Sequence, residues 1–218
     1  MMIYNAAVFD FDGTIAYTSK DVWSSVEYAA KCVGSIVPQA VRCDDSNLGL
    51  GTFELFNKLQ PVPPISDYDK FDKEITVHYR TVSMYHDTCL YHGIEDFIQM
   101  LISRSIPRYI VTLKPKEPLE RILKIKNWGH MFDGWYTPDY FDGCICTKEE
   151  LLRILLDTKL QNYRCVYIGD SYTDVIAARK NHIDSIGVTY GDGDTDKLVN
   201  QKPTYIFNNI SEAVSLFL

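Results

Sequence analysis

Apolar positions along the chain follow two rhythms, and the change between them divides the sequence. It opens on an apolar run, AAVF, that predicts a strand and stops abruptly at Asp10 and Asp12. A helical rhythm follows. Val22, Val26, Ala29, Ala30 and Val33 recur at three- and four-residue intervals behind Ser19, which predicts a helix over 20–32 with Ser19 as its cap. A second helix is predicted over 52–60, with 34–51 as the connecting loop, and the three prolines of QPVPPIS must break any helix there. Helical spacing returns over 67–84 through Phe71, Ile75 and Val82. Residues 18–86 thus read as mainly helical, with no strand.

From Gly93 onward helices and strands alternate. GIEDFIQMLIS, PLERILKIKNW, TKEELLRILLDTKL and TDVIAARKNH predict helices, RYIVT, RCVYIGD, DSIGVTY and TYIF predict strands, GWYT is a short segment between two of the helices, and a last helix starts from Ser211. Buried β-branched runs between amphipathic helices indicate a parallel sheet covered on both faces. The first strand belongs to that sheet, so the helical block is an insertion. The expected fold is α/β, a Rossmann-like parallel sheet with helices on both faces plus an inserted helical cap domain. The core is expected to comprise 1–16 and 88–218, and the cap 17–87.

Composition narrows the function. A hydrophobic content of 46% with 23% charged residues fits a globular protein. The net charge of −7 argues against a nucleic-acid partner, which needs a basic face. MMIYNAAVF has no basic leader and no apolar run approaches the ~20 residues of a spanning helix, so neither targeting to nor anchoring in a membrane is expected. Six scattered cysteines, with Cys144 and Cys146 too close for a zinc pair, suggest reduced thiols in a cytoplasmic protein.

In parallel sheets ligands bind at the carboxyl ends of the strands, and the chemistry-bearing residues fall there. Asp10 and Asp12, two apart, project to one side of an extended segment. Thr112 closes RYIVT, Asp170 ends the next buried strand with Asp174 four residues on, and Lys148 opens the helix before that strand. Four carboxylates, a lysine and a hydroxyl on one rim suit a Mg²⁺ ion facing an oxyanion.

DFDGT followed by VT, a lone lysine and GDSYTD resembles the haloacid dehalogenase superfamily, and the helical insertion resembles the cap of its phosphoglycolate phosphatase-like members. The resemblance implies a Mg²⁺-dependent phosphatase acting on a small-molecule phosphate ester through an aspartyl phosphate. It implies Asp10 as nucleophile, Asp12 as acid/base with its carbonyl on the metal, Asp170 and Asp174 as metal carboxylates, and Thr112 and Lys148 as phosphate-binding groups. A phosphomutase, or a binding protein without turnover, uses the same residues. Tyr17, Leu113 and Glu149 depart from common family residues without removing a chemical group. Arg42, the one basic residue of 34–51, is a candidate for a second substrate anion, the alternative being a surface pair with Asp44 or Asp45. DGDTDK, from Asp192, lacks the glycine and glutamate of a calcium loop and reads as a polar loop.

Overall fold

A computed structural model describes residues 3–141 and 145–218. In chain order the elements are β1 (Ala6–Phe9), β2 (Ala16–Tyr17), α1 (Ser19–Cys32), α2 (Gln39–Arg42), α3 (Thr52–Asn57), α4 (Tyr68–Val77) and β3 (Cys89–Leu90). There follow α5 (Ile94–Ser103), β4 (Arg108–Val111), α6 (Lys116–Ile125), β5 (Gly134–Tyr136), α7 (Lys148–Thr158), β6 (Cys165–Gly169), α8 (Tyr172–Lys180), β7 (Asp184–Val188), α9 (Thr195–Asn200) and β8 (Tyr205–Phe207). The chain falls into two units, one of Met1–Tyr17 with Cys89–Leu218 and one of Thr18–Thr88.

The first unit is a parallel six-stranded sheet in the order β5-β4-β1-β6-β7-β8, beside a small antiparallel β2-β3 pair. It is the α/β architecture anticipated from the alternating pattern. β1 lies between β4 and β6, and all four of its residues are buried. The period of two explains this. Ala6 and Val8 face a cluster with Leu151, Leu152 and Leu155 of α7 and Ala177 and Ala178 of α8, while Phe9 meets Phe97 of α5 edge-on at 6.1 Å on the other face. A strand covered on both sides has no polar positions to spare until its carboxyl end.

The second unit is built on α1, α3 and α4. Trp23, Val26, Ala29, Ala30, Leu55, Phe56, Leu59 and Phe71 form its core. The buried stripe of α1 therefore runs through Trp23 rather than Val22. The indole can be buried because its Nε1–H donates to Asp45 Oδ1 at 2.6 Å. The helix also begins one residue early, with Ser19 inside it and Thr18 preceding it, and Thr18 makes no side-chain capping bond. The expected loop over 34–51 holds α2 and a 3-10 turn, Asp45–Gly49, opened by Asp44 accepting from the Ser46 N–H. The helix expected over 67–84 changes winding at His78–Val82 to a π turn, and the extra residue rotates Val82 off the apolar stripe into solvent. Asp21, near the start of α1, accepts from the Thr88 hydroxyl at 2.8 Å and ties the unit's two ends together.

The chain's last stretch, Ile210–Phe217, is 3-10 rather than α-helical, capped by Asn209 and Glu212. The polar DGDTDK segment is partly helical, since Asp194 caps α9 by accepting from the Lys197 N–H. No helix among the described residues is long and apolar enough to cross a membrane.

Asp45→Ala is expected to lower stability by about 1–3 kcal/mol, because the Trp23 N–H is left unpaired in a dry core. Asp45→Asn, which keeps an acceptor, should lose less. Urea unfolding midpoints at matched slopes test this, and equal losses for the two variants would contradict it.

Candidate active site

β1, β4 and β6 all end at one edge of the sheet, and the residue after each is polar. Asp10 follows β1, Thr112 follows β4 and Asp170 follows β6, all three buried. Lys148 is the first residue of α7, whose capping box between Thr147 and Glu150 fixes where the helix begins. Asp174 lies in the first turn of α8 and reaches back to accept from the Ser171 N–H at 2.9 Å, completing that helix's own capping box. Two helix starts thus aim a lysine and a carboxylate at the strand ends.

The Lys148 ammonium donates to Asp10 Oδ2 at 2.8 Å and to Asp174 Oδ1 at 2.6 Å, with all three side chains nearly closed to solvent. Burial disfavours the Lys148 charge, but the carboxylates of Asp10 and Asp174 outweigh it and raise the ammonium above the usual lysine range. Burial pushes Asp10 up to about 6 against the pull of Lys148. Burial, with repulsion from Asp10 and Asp174, pushes Asp170 up to about 7.

Asp170 is held at both oxygens, accepting from the Thr14 hydroxyl at 3.1 Å and from the Gly193 N–H at 2.9 Å. These contacts require bare backbone. Gly13 has a φ of +75°, and a Cβ there would lie 2.1 Å from Asp170 Oδ2. A Cβ on Gly191 would meet the Gly13 carbonyl oxygen at 2.1 Å. Tyr190 donates to the Thr14 carbonyl at 2.9 Å, and Tyr91 to Asp192 Oδ1 at 3.1 Å, so each donor to Asp170 has a tyrosine securing its own loop.

The site residues suggested by the sequence in this unit therefore cluster at the strand ends. Arg42 belongs to the other unit. There its Nε donates to Glu27 at 2.8 Å and its guanidinium lies 5.3 Å from the centre of the Trp23 ring. Asp44 and Asp45, the expected surface partners, are instead engaged by Ser46 and Trp23. Of the closely spaced cysteines, Cys146 is buried and Cys144 lies outside the described residues.

Sequence reasoning missed Lys114. Its ammonium donates to Asp12 at 2.8 and 3.2 Å, its side chain is almost fully buried, and its backbone N–H donates to the Thr112 hydroxyl oxygen at 3.2 Å. That last bond occupies an acceptor position of Thr112 and leaves the O–H proton to serve an oxyanion. A signal was available: Lys114 stands two residues from Thr112, the separation that singled out Asp10 and Asp12. The tyrosines and Thr14 had no such signal, because nothing local relates them to Asp170.

The site suits a divalent cation. Ligand atoms of Asp10, Asp170 and Asp174 lie within 4.8 Å of one another, all three residues are buried, and Asp10 Oδ1 is buried with no hydrogen-bond partner. Four carboxylates face two ammonium groups, so the ionised set is two positive charges short of balance. An all-oxygen donor set selects a hard ion.

A family profile described as haloacid dehalogenase-like hydrolase matches residues 7–188. A 5'-nucleotidase from Pseudomonas aeruginosa is 28% identical over 206 residues, 93% of this chain and 90% of that protein. A phosphoglycolate phosphatase from Agrobacterium fabrum is 25% identical over 211 residues, 94% and 88% of the two chains. The solved structure of a haloacid dehalogenase-like family hydrolase from Streptococcus pneumoniae superposes over the full length of both chains with a TM-score of 0.82 at 24% identity.

The raised carboxyls make the metal-free protein sensitive to pH. Asp10 and Asp170 bind protons more tightly when folded than at their ordinary value of 3.8. Their contribution to stability is therefore complete below about pH 4 and is lost as pH rises through about 6 to 7. In excess chelator, the melting temperature of the wild type should fall relative to Asp170→Asn between pH 5 and pH 8. A difference between the two proteins that does not change with pH would refute this.

Proposed function

Because the chain belongs to the haloacid dehalogenase-like hydrolase family and is a phosphoric monoester hydrolase within it, we propose that it hydrolyses small phosphorylated metabolites in two steps, through an aspartyl phosphate on Asp10, with Mg²⁺ as cofactor. The observation that carries this reading is the Lys148 bridge. It holds Asp10 oriented and ionised at the end of β1 while leaving its other oxygen without a hydrogen bond.

In the first step a carboxylate oxygen of Asp10 attacks phosphorus, the bond from phosphorus to the leaving oxygen breaks, and Asp12 gives that oxygen its proton. In the second, Asp12 takes a proton from water as the water oxygen attacks phosphorus, and the bond to Asp10 breaks to release phosphate. Thr112 donates to a phosphoryl oxygen, and Lys148 offsets charge on the transferring group. Asp10, Asp170 and Asp174, with the Asp12 carbonyl, would hold Mg²⁺, which would neutralise phosphate charge facing the carboxylates.

Residues 1–16 and 88–218 are assigned as the catalytic core and 17–87 as the cap, with Arg42 a residue through which the cap senses the rest of the substrate. Free thiols at Cys32, Cys43, Cys89 and Cys165 support a reducing, cytoplasmic setting. Nucleic acid and membrane are not among the partners assigned.

Screening phosphate release over a broad panel of phosphorylated metabolites with Mg²⁺ tests the proposal directly. Turnover should vanish in excess chelator and recover with Mg²⁺ but poorly with Ca²⁺, whose looser coordination draws in both carboxylate oxygens. Asp10→Asn should fold normally and release no phosphate; residual turnover above a hundredth of wild type would exclude Asp10 as nucleophile. Asp12→Asn should slow the first step by about 10²–10⁴-fold on alkyl esters and much less on p-nitrophenyl phosphate, whose leaving group needs no proton. Equal slowing of leaving-group release from both esters would remove Asp12 from the acid role.

A further inference from the structure

We propose that Lys114 is the positioning residue for Asp12, holding its carboxyl group where a proton can pass to the leaving oxygen, an assignment that rests on the two-step reading above. Four features of the geometry carry it. The Lys114 side chain is 5% exposed, and a buried ammonium is costly unless a carboxylate compensates it closely. Asp12 provides that carboxylate at both oxygens, at 2.8 and 3.2 Å.

The second feature is the openness of Asp12. Its side chain is 39% exposed, in contrast to Asp10, whose side chain is 9% exposed and clamped by Lys148. A carboxyl that must deliver a proton in one step and accept one in the next needs access to solvent and to the leaving group. Access of that kind leaves a short side chain several rotamers, and proton transfer is efficient only from one of them. Lys114 reconciles the two needs, because it approaches from the buried side and fixes the carboxyl plane while the outer side remains open.

Thirdly, the same residue orients Thr112 through its backbone N–H, so one short turn after β4 sets both the hydroxyl assigned to the phosphoryl group and the acid/base assigned to the leaving group. Lastly, the two lysines divide the work. Lys148 contacts Asp10 and Asp174, and Lys114 contacts Asp12. Loss of one lysine should therefore have a different kinetic signature from loss of the other.

The test is single-turnover release of the leaving group, with Mg²⁺, from p-nitrophenyl phosphate and from a nucleoside 5'-monophosphate. Lys114→Met, of similar volume, should slow release of the nucleoside at least about tenfold more than release of p-nitrophenol, with substrate saturation little changed. Lys114→Arg, whose planar fork can meet both carboxylate oxygens, should recover most of the nucleoside rate. Equal slowing with both esters, a rise in KM alone, or no recovery in Lys114→Arg would overturn the assignment. The crystal structure of Lys114→Met decides the matter independently of turnover: the Asp12 carboxyl should leave its wild-type position, and finding it in place would refute the proposal. A wild-type protein that releases no phosphate from any ester would count against the hydrolase reading instead, with the crystal structure still deciding for or against Lys114.

Discussion

Everything at the carboxyl edge of the sheet answers to the repulsion among Asp10, Asp170 and Asp174, three carboxylates buried within reach of one ion. Such a group is tolerated only where positive charge and aligned donors meet it. The molecule provides them from four directions: an ammonium from the start of α7, main-chain N–H groups from the start of α8 and from Gly193, and a hydroxyl from Thr14. The glycines at 13 and 191 follow from the same constraint, because the loops bearing these donors must press against Asp170 more closely than any side chain permits.

Much of this was legible in the sequence because it is local. A buried strand announces its end by its first polar residue, so Asp10, Thr112 and Asp170 could be placed on one edge from hydrophobic pattern alone, and TKEELL announced both the start of α7 and the position of Lys148. Trp23 was less legible, since its burial depends on an acceptor, Asp45, that no periodicity relates to it. The π turn after α4 was hidden for another reason. Helical spacing assumes a constant number of residues per turn, and one wider turn carried Val82 off the expected face. The support of Asp170 by Thr14, Gly193, Tyr190 and Tyr91 joins segments far apart in sequence, and only the folded chain reveals it.

The two lysines show how similar local chemistry acquires separate tasks from its surroundings. Both are buried and both face aspartates, yet Lys148 is enclosed with Asp10 and Asp174, whereas Lys114 approaches an aspartate that remains open to solvent. An ammonium sealed between two carboxylates acts as a fixed countercharge. One that meets an open carboxylate from beneath acts as a mount. The distinction lies in the exposure of the partner, not in the lysine.

The interrupted course of the first unit has a consequence for the order in which the protein forms during synthesis. β1 is made early, but its neighbours are β4 and β6: Ala7 pairs with Arg108 and with Val166. Between β1 and β4 the whole Thr18–Thr88 unit is produced, with a core of its own. At about 5–20 residues per second, β1 waits on the order of ten seconds or longer for β6. Until β4 emerges an apolar strand ending in the two aspartates has no partner, and its other edge stays open until β6 arrives. The helical unit, whose contacts are closer in sequence, closes its loops at lower entropic cost. The nascent chain therefore completes its insertion first, and the acidic edge assembles only as Lys148, Asp170 and Asp174 arrive, so that positive charge and repulsion enter the site together.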